Sequence, residues 1–330
     1  MPGVSRSFAL SLRVLPRSLR LPFGVTYLVA RAADTIADTR ALPPAQRRTA
    51  VEALRHALRD PTAAAPPVAE RLGTAVSPAE GRLLGHLRDV LAAFRALDAG
   101  DRARALAVLL TLTQGMLEVL ERFPPEAAGR VAALETWAEL DRYTYLNAGC
   151  VGEFWTDMLV AHRPACAGWD VAVQRARGIR FGQGLQLVNV LRDLPRDLRA
   201  GRCYLPREAL ADVGLAPEDL LRPDALGRAR GLVTRLVDDA RGRLESGRAY
   251  TLAIPRREPR LRLAAAWPLL IGLATLGRLR HAGNLLDPTV TVKITRRELR
   301  RLLARSVALA WSDRGLSAYA ERLAADAPSA

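Results

Sequence analysis

The chain has 330 residues, 49% hydrophobic and only 5% aromatic, with 49 basic residues against 34 acidic ones and a formal charge of +15. Ala, Leu and Arg dominate and β-branched runs are scarce, a composition that favours helices and an all-α protein. Cys150, Cys166 and Cys203 have no CxxC spacing and the four histidines are scattered, which excludes a disulfide framework and a zinc centre. The arginines are spread along the whole chain, Lys293 is the single lysine, and no aromatic-interleaved basic patch occurs, so the charge does not signal nucleic acid.

Pro and Gly punctuate a series of helical patterns. The basic, partly apolar N-terminal segment lacks the apolar run and cleavage site of a signal peptide. A first long helix is expected over Phe23 to Thr39, and a second over Ala45 to Arg59. The proline-bearing stretch 60–76 reads as a loop. Helices follow over Pro78 to Leu97, Arg102 to Arg122, Leu134 to His162 and Val171 to Leu194, with a loop at Gly201 to Pro206. Three more are expected near 225–250, 258–281 and 296–325. The apolar stretch Leu263 to Leu276 contains Pro268 and falls short of the ~20 residues that span a bilayer. One domain over 1–330 and a cytoplasmic protein, in peripheral contact with a membrane surface at most, are the expectations.

Two carboxylate pairs carry the chemical signal. Asp34 and Asp38 are four residues apart, a spacing that turns a helix by about 400° and puts both on one face. Like charges so placed repel, and a cation would compensate them. Mg²⁺ suits the arrangement, because it takes oxygen ligands and commonly uses one or two carboxylates plus substrate phosphates. Arg31 stands three residues earlier, within reach of a carboxylate or a phosphate oxygen. Downstream, Asn189, Asp193 and Asp197 recur at i, i+4 and i+8, with Gln186 near the same face. Arg192 and Arg202 add planar forks suited to a diphosphate. Pro195 lies inside this second column and is expected to end or kink the helix near Leu194, which would put Asp197 in the following turn.

Five ordered motifs together resemble the squalene/phytoene synthase family of head-to-head prenyl transferases. Ser5-Arg6-Ser7-Phe8 is similar to the family's N-terminal phosphate-binding segment, and Tyr27 to Asp38 to its first aspartate-rich motif. Tyr143 to Gly152 resembles its tyrosine-bearing helix, Asn189 to Asp197 its second aspartate-rich motif, and Gly201-Arg202 follows at the family's offset. The Asp-Thr-Ile-Ala-Asp wording and Val292-Lys293-Ile294 look closer to the squalene branch. Leu146 stands where a second Tyr is frequent, and Thr295 where a basic residue often follows.

The resemblance implies a single-domain, isoprenoid-synthase-type helical bundle around a central cavity. It implies two farnesyl diphosphates as substrates, Mg²⁺ held by Asp34, Asp38, Asn189, Asp193 and Asp197, and proton transfer by Tyr143. Substrate would be held by Ser5, Arg6, Ser7, Phe8, Tyr27, Arg31, Tyr145, Gln186, Asn189, Arg192 and Arg202. NADPH would be met by Lys293 and Arg296, with Arg6, Arg31 and Arg192 nearby. A dry tunnel would run past Ala148, Gly149 and Gly152, with Phe8, Phe154 and Leu185 as wall residues. The alternatives are a non-reductive relative, making presqualene diphosphate, hydroxysqualene or phytoene, and, from another class, a basic helical nucleic-acid- or lipid-binding protein without catalysis. Oligomeric state is not legible in the sequence.

Overall fold

Polar caps and prolines set where the helices start. The computed structural model describes residues 6–72, 75–123, 130–290 and 292–325, and nearly all of its regular structure is helical. α1 (Arg6–Val14) leads into α2 (Arg17–Asp38), α3 (Pro44–Arg59) and the short α4 (Ala69–Leu72). α5 (Pro78–Gly85) opens on a capping box in which Ser77 and Glu80 satisfy each other's backbone N–H. α6 (Leu87–Arg95) follows a break at His86, so the single helix expected over 78–97 is two. Asp98 caps α7 (Ala99–Arg122) by accepting from the N–H groups of Gly100 and Asp101.

The helix expected over 134–162 is also divided. β1 (Ala132–Ala133) and α8 (Trp137–Thr144) come first, then a π turn at Tyr145–Gly149, then α9 (Cys150–His162). α10 (Val171–Arg199) does not stop near Leu194: it runs through Pro195 to Arg199, whose guanidinium donates to the Pro195 carbonyl at 2.7 Å. Asp197 therefore stays on the same helix as Asp193, and the expected interruption is corrected.

Gly201, at φ +74°, takes the left-handed conformation that ends α10 and reverses the chain into β2 (Arg202–Cys203). β2 pairs in parallel with β1, Ala132 opposite Arg202. α11 (Arg207–Ala211), α12 (Leu226–Ala253) and α13 (Pro259–His281) follow, and the expected C-terminal helix divides into α14 (Arg296–Leu309) and α15 (Asp313–Ala325).

The buried apolar residues fall in two clusters. One gathers Phe23, Val29 and Leu109 with Phe154 and Met158; the other gathers Phe181, Leu191 and Leu236 with Leu270. Where α9 crosses α10 the backbones touch: a Cβ on Gly152 would lie 1.9 Å from the Gly178 carbonyl oxygen. By length and composition α7 is apolar enough to cross a membrane, yet here it packs against α2, α3 and α9.

Candidate active site

α2 and α10 present their aspartates to one large open chamber of about 1110 Å³, lined by Asp34 and Asp38 from one side and Asp193 and Asp197 from the other. Asn189, Gln186, Arg31, Arg192 and Arg202 share this wall. Two aspartate pairs more than 150 positions apart in the chain thus face one chamber.

The two columns differ electrostatically. Arg31 bridges Asp34 at 3.1 Å and Glu80 at 2.5 Å, so one guanidinium is shared between two carboxylates. Burial and the neighbouring Asp38 push the Asp34 carboxyl up to about 6. Asp34 is 46% exposed, but its exposure is to the walled chamber. Burial also raises Asp38, against the pull of Arg202, Arg31 and Arg47. Arg47 donates to the Ala37 carbonyl at 3.0 Å and so stands at the C-terminal end of α2, where a cation meets the helix dipole favourably. On α10, Arg192 grips Asp193 with two bonds of 3.0 and 2.6 Å, and Arg196 reaches both Asp193 and Asp197. Burial raises Asp197.

Tyr143 ends a chain of polar contacts. Asn189 Nδ2 donates to Gln186 Oε1 at 3.4 Å, and Gln186 Nε2 donates to the Tyr143 hydroxyl at 2.9 Å. The Tyr143 ring stacks on Tyr204, centroids 4.5 Å apart, and Arg202 acts on the Tyr204 phenol electrostatically. Burial and Tyr204 hold the Tyr143 proton far more tightly than a free phenol. Sequence reasoning missed Tyr204, along with Glu80, Arg40, Arg47 and Arg196. All four basic or aromatic members of that group line the chamber. Only the position of Tyr204 two residues beyond Arg202 could have hinted at its place.

Below the chamber lies a nearly apolar cavity of about 300 Å³, walled by Phe23, Tyr27, Ala148, Gly152, Phe154 and Leu185 among others. The small residues of α9 thus serve two ends: they line this cavity and they allow the α9–α10 contact. Ala264, Ala265 and Pro268 close its far side. Tyr27 faces this cavity rather than the polar chamber.

Tyr145, expected at the substrate, lines neither space; its hydroxyl donates to Glu153 at 3.1 Å, and burial pushes it up to about 12. A third hollow of about 540 Å³ adjoins the chamber and shares Arg40, Arg192, Asp193 and Arg196 with it; Lys293 stands on its wall. Arg296 opens α14 outside that wall. Ser5 lies outside the described residues, as do the side chains of Arg6, Ser7 and Phe8.

Asp98, Asp101 and His162 also cluster, with His162 2.7 Å from Asp101. They sit at the N-terminal end of α7, whereas Met116, Val119 and Leu120 of the same helix line the chamber. Fifteen residues of helix separate the two by about 22 Å. With Asp98 spent on the cap and Asp101 on His162 and Arg104, this cluster is a helix-start brace apart from the chamber.

The model of the squalene/phytoene synthase family matches residues 1–298. A bifunctional lycopene cyclase/phytoene synthase of Colletotrichum graminicola is 27% identical over 235 residues, which are 68% of this chain and 37% of that protein. A presqualene diphosphate synthase of Zymomonas mobilis is 27% identical over 211 residues, 64% of this chain and 60% of the relative. The chain thus spans less than two thirds of either relative's length. Among solved structures, the TcSQS complex with the ligand E5700 matches with a TM-score of 0.76 at 24% identity, covering 98% of this chain and 88% of that one. At that identity the likeness is one of fold.

Proposed function

Because the chain belongs to the squalene/phytoene synthase family, we propose that it joins two molecules of farnesyl diphosphate head to head through presqualene diphosphate and reduces the product to squalene with NADPH. The observation that carries this reading is the single chamber in which two carboxylate columns, several arginines and Tyr143 meet above an apolar cavity. A diphosphate head and a prenyl tail have separate, adjoining places.

The donor set fits Mg²⁺. Asp34, Asp38, Asn189, Asp193 and Asp197 would hold it through hard oxygen atoms, and the two carboxylate pairs face one chamber. Bound there, the metal would neutralise charge on the departing diphosphate. Arg31, Arg192 and Arg202 hold phosphate oxygens by planar bidentate bonds. Arg192 must then release Asp193, with which it is paired here. Tyr143 is a neutral phenol between Gln186 and Tyr204, so it passes a proton along that contact and does not stand as a phenolate. The cavity wall excludes water from the prenyl chains.

The Lys293 hollow, rich in arginine and contiguous with the chamber, supports NADPH as the reductant. A second reading, phytoene formation from longer diphosphates without reductant, draws support from the phytoene synthase named among the relatives. Incubation with farnesyl or geranylgeranyl diphosphate and Mg²⁺, with and without NADPH, separates them by product mass. Squalene that requires NADPH is expected. A C40 product indifferent to NADPH would establish the second reading, and the absence of any head-to-head product would refute both.

A further inference from the structure

α14 carries Arg296, Arg297, Arg300, Arg301 and Arg305 against a single acid, Glu298. That acid is spent at the start of the helix, where it closes the capping box with Thr295 and accepts from Arg278 of α13. Leu302 and Ser306 are buried, and the Trp267 indole N–H donates to the Ser306 hydroxyl at 3.0 Å. The inner face of α14 is thus fastened to α13, the helix that brings Ala264, Ala265 and Pro268 to the wall of the apolar cavity.

The outer face combines charge with exposed apolar surface. Arg297, Arg301 and Arg305 recur at i, i+4 and i+8 and form one exposed column. Ala304, Val307 and Ala308 lie beside it, also exposed, and Trp311 follows in the next turn. Val307 is 43% and Trp311 56% exposed, two of the four large apolar side chains so placed among the described residues. Arg122, Arg142, Arg175 and Arg256 of other helices and loops are matched by carboxylates. Arg297, Arg300 and Arg301 have no ion pair among the described residues. A basic column beside small and apolar residues, ending in Trp, suits a helix lying on acidic headgroups: guanidiniums meet the charge while the apolar side chains enter the acyl boundary. A nucleic acid would engage the arginines and leave Ala304, Val307 and Ala308 idle. The family match ends at residue 298, so most of this face lies beyond it.

We propose that the outer face of α14, together with Trp311, docks on an anionic lipid surface. Arg297, Arg300 and Arg301 supply the attraction, and Val307 and Trp311 the insertion. α13 stands directly behind, so one wall of the apolar cavity is held a helix away from the lipid. The docking is independent of which prenyl diphosphate is condensed and of whether a reductant is used.

The test sediments the full chain with vesicles of phosphatidylcholine, alone or mixed with phosphatidylglycerol. Binding is expected to the mixed vesicles only, and it should weaken as salt rises. The triple variant Arg297→Gln, Arg300→Gln, Arg301→Gln should bind about a hundredfold more weakly, each arginine near the surface being worth about fivefold. A control triple variant, Arg59→Gln, Arg82→Gln, Arg88→Gln, removes the same charge from exposed positions of α3, α5 and α6 and should bind as the wild type does. Trp311→Ala leaves the charge intact; it should bind about tenfold more weakly and lose the blue shift of tryptophan emission that vesicles induce. It carries the test alone if the patch triple variant does not melt cooperatively. No binding to mixed vesicles, an equal loss in the control, or unchanged binding in a folded patch variant overturns the proposal. Tighter binding to a DNA duplex than to the vesicles, lost in the same patch variant, would assign the face to nucleic acid and overturn it as well.

Discussion

The two walls of the chamber carry the same pair of carboxylates and treat them differently. On α10, Asp193 is closed over by Arg192 and Arg196. On α2, Asp34 shares Arg31 with Glu80, and burial beside Asp38 leaves its carboxyl raised to about 6. On α10 Asp193 is paired within its own helix, whereas Asp34 shares its guanidinium with Glu80 and owes its raised carboxyl first to burial. On the proposed reading, a metal would meet a half-free carboxylate on α2 and on α10 would first have to displace a guanidinium.

Removing single members of each wall tests the contrast most strongly. Asp34→Ala and Asp193→Ala should each lower turnover by about 10²–10³, the usual cost of one group that stabilises developing charge. Their effects on the metal-free protein should part: Asp34→Ala raises the melting temperature by relieving a like-charge pair, whereas Asp193→Ala lowers it by stranding two arginines. Equal stability shifts would refute the asymmetry. Tyr204→Phe keeps the stack on Tyr143 and loses the phenolic contact; it should lower kcat by about 10²-fold with KM nearly constant.

Gly152→Ala drives a methyl into the Gly178 carbonyl from behind the α10 wall, and should cost about 1–3 kcal/mol in denaturant unfolding. The smallest effect is one of pH. The folded Asp34 carboxyl lies near 6 against an ordinary 3.8, so the folded state binds more protons between those values and stability falls as pH rises. Metal-free protein should therefore melt higher at pH 5 than at pH 7. Mg²⁺ should reverse that order, because its ligands must be ionised.

Much of this chamber was legible because its signals are local. An aspartate pair at i and i+4 declares a shared face whatever the tertiary structure, Tyr143 opens an ordered motif, and Gln186 lies one helical turn before another. Arg40 and Tyr204 reach the chamber from loops, and Glu80 reaches Arg31 from a distant helix start, where position depends on long-range packing that no short window contains. Pro195 misled because the lost N–H was taken to end the helix, whereas α10 continues through it to Arg199 with Leu194, Pro195 and Leu198 buried. Tyr145 misled because the π turn carries its ring away from its neighbour Tyr143 towards Glu153.

That π turn has a consequence for sequence change. A π turn holds one residue more than the α-helix would use, so it behaves as a tolerated insertion whose phase the rest of the helix has absorbed. Excising one residue between Leu146 and Gly149 would restore α-type bonding within the turn and leave the downstream helix in its present phase. Gly152 would still meet Gly178. A single-codon deletion here should therefore be borne better than one inside α9 before Gly152, where the loss of a residue from regular helix rotates the contact face by about 100°.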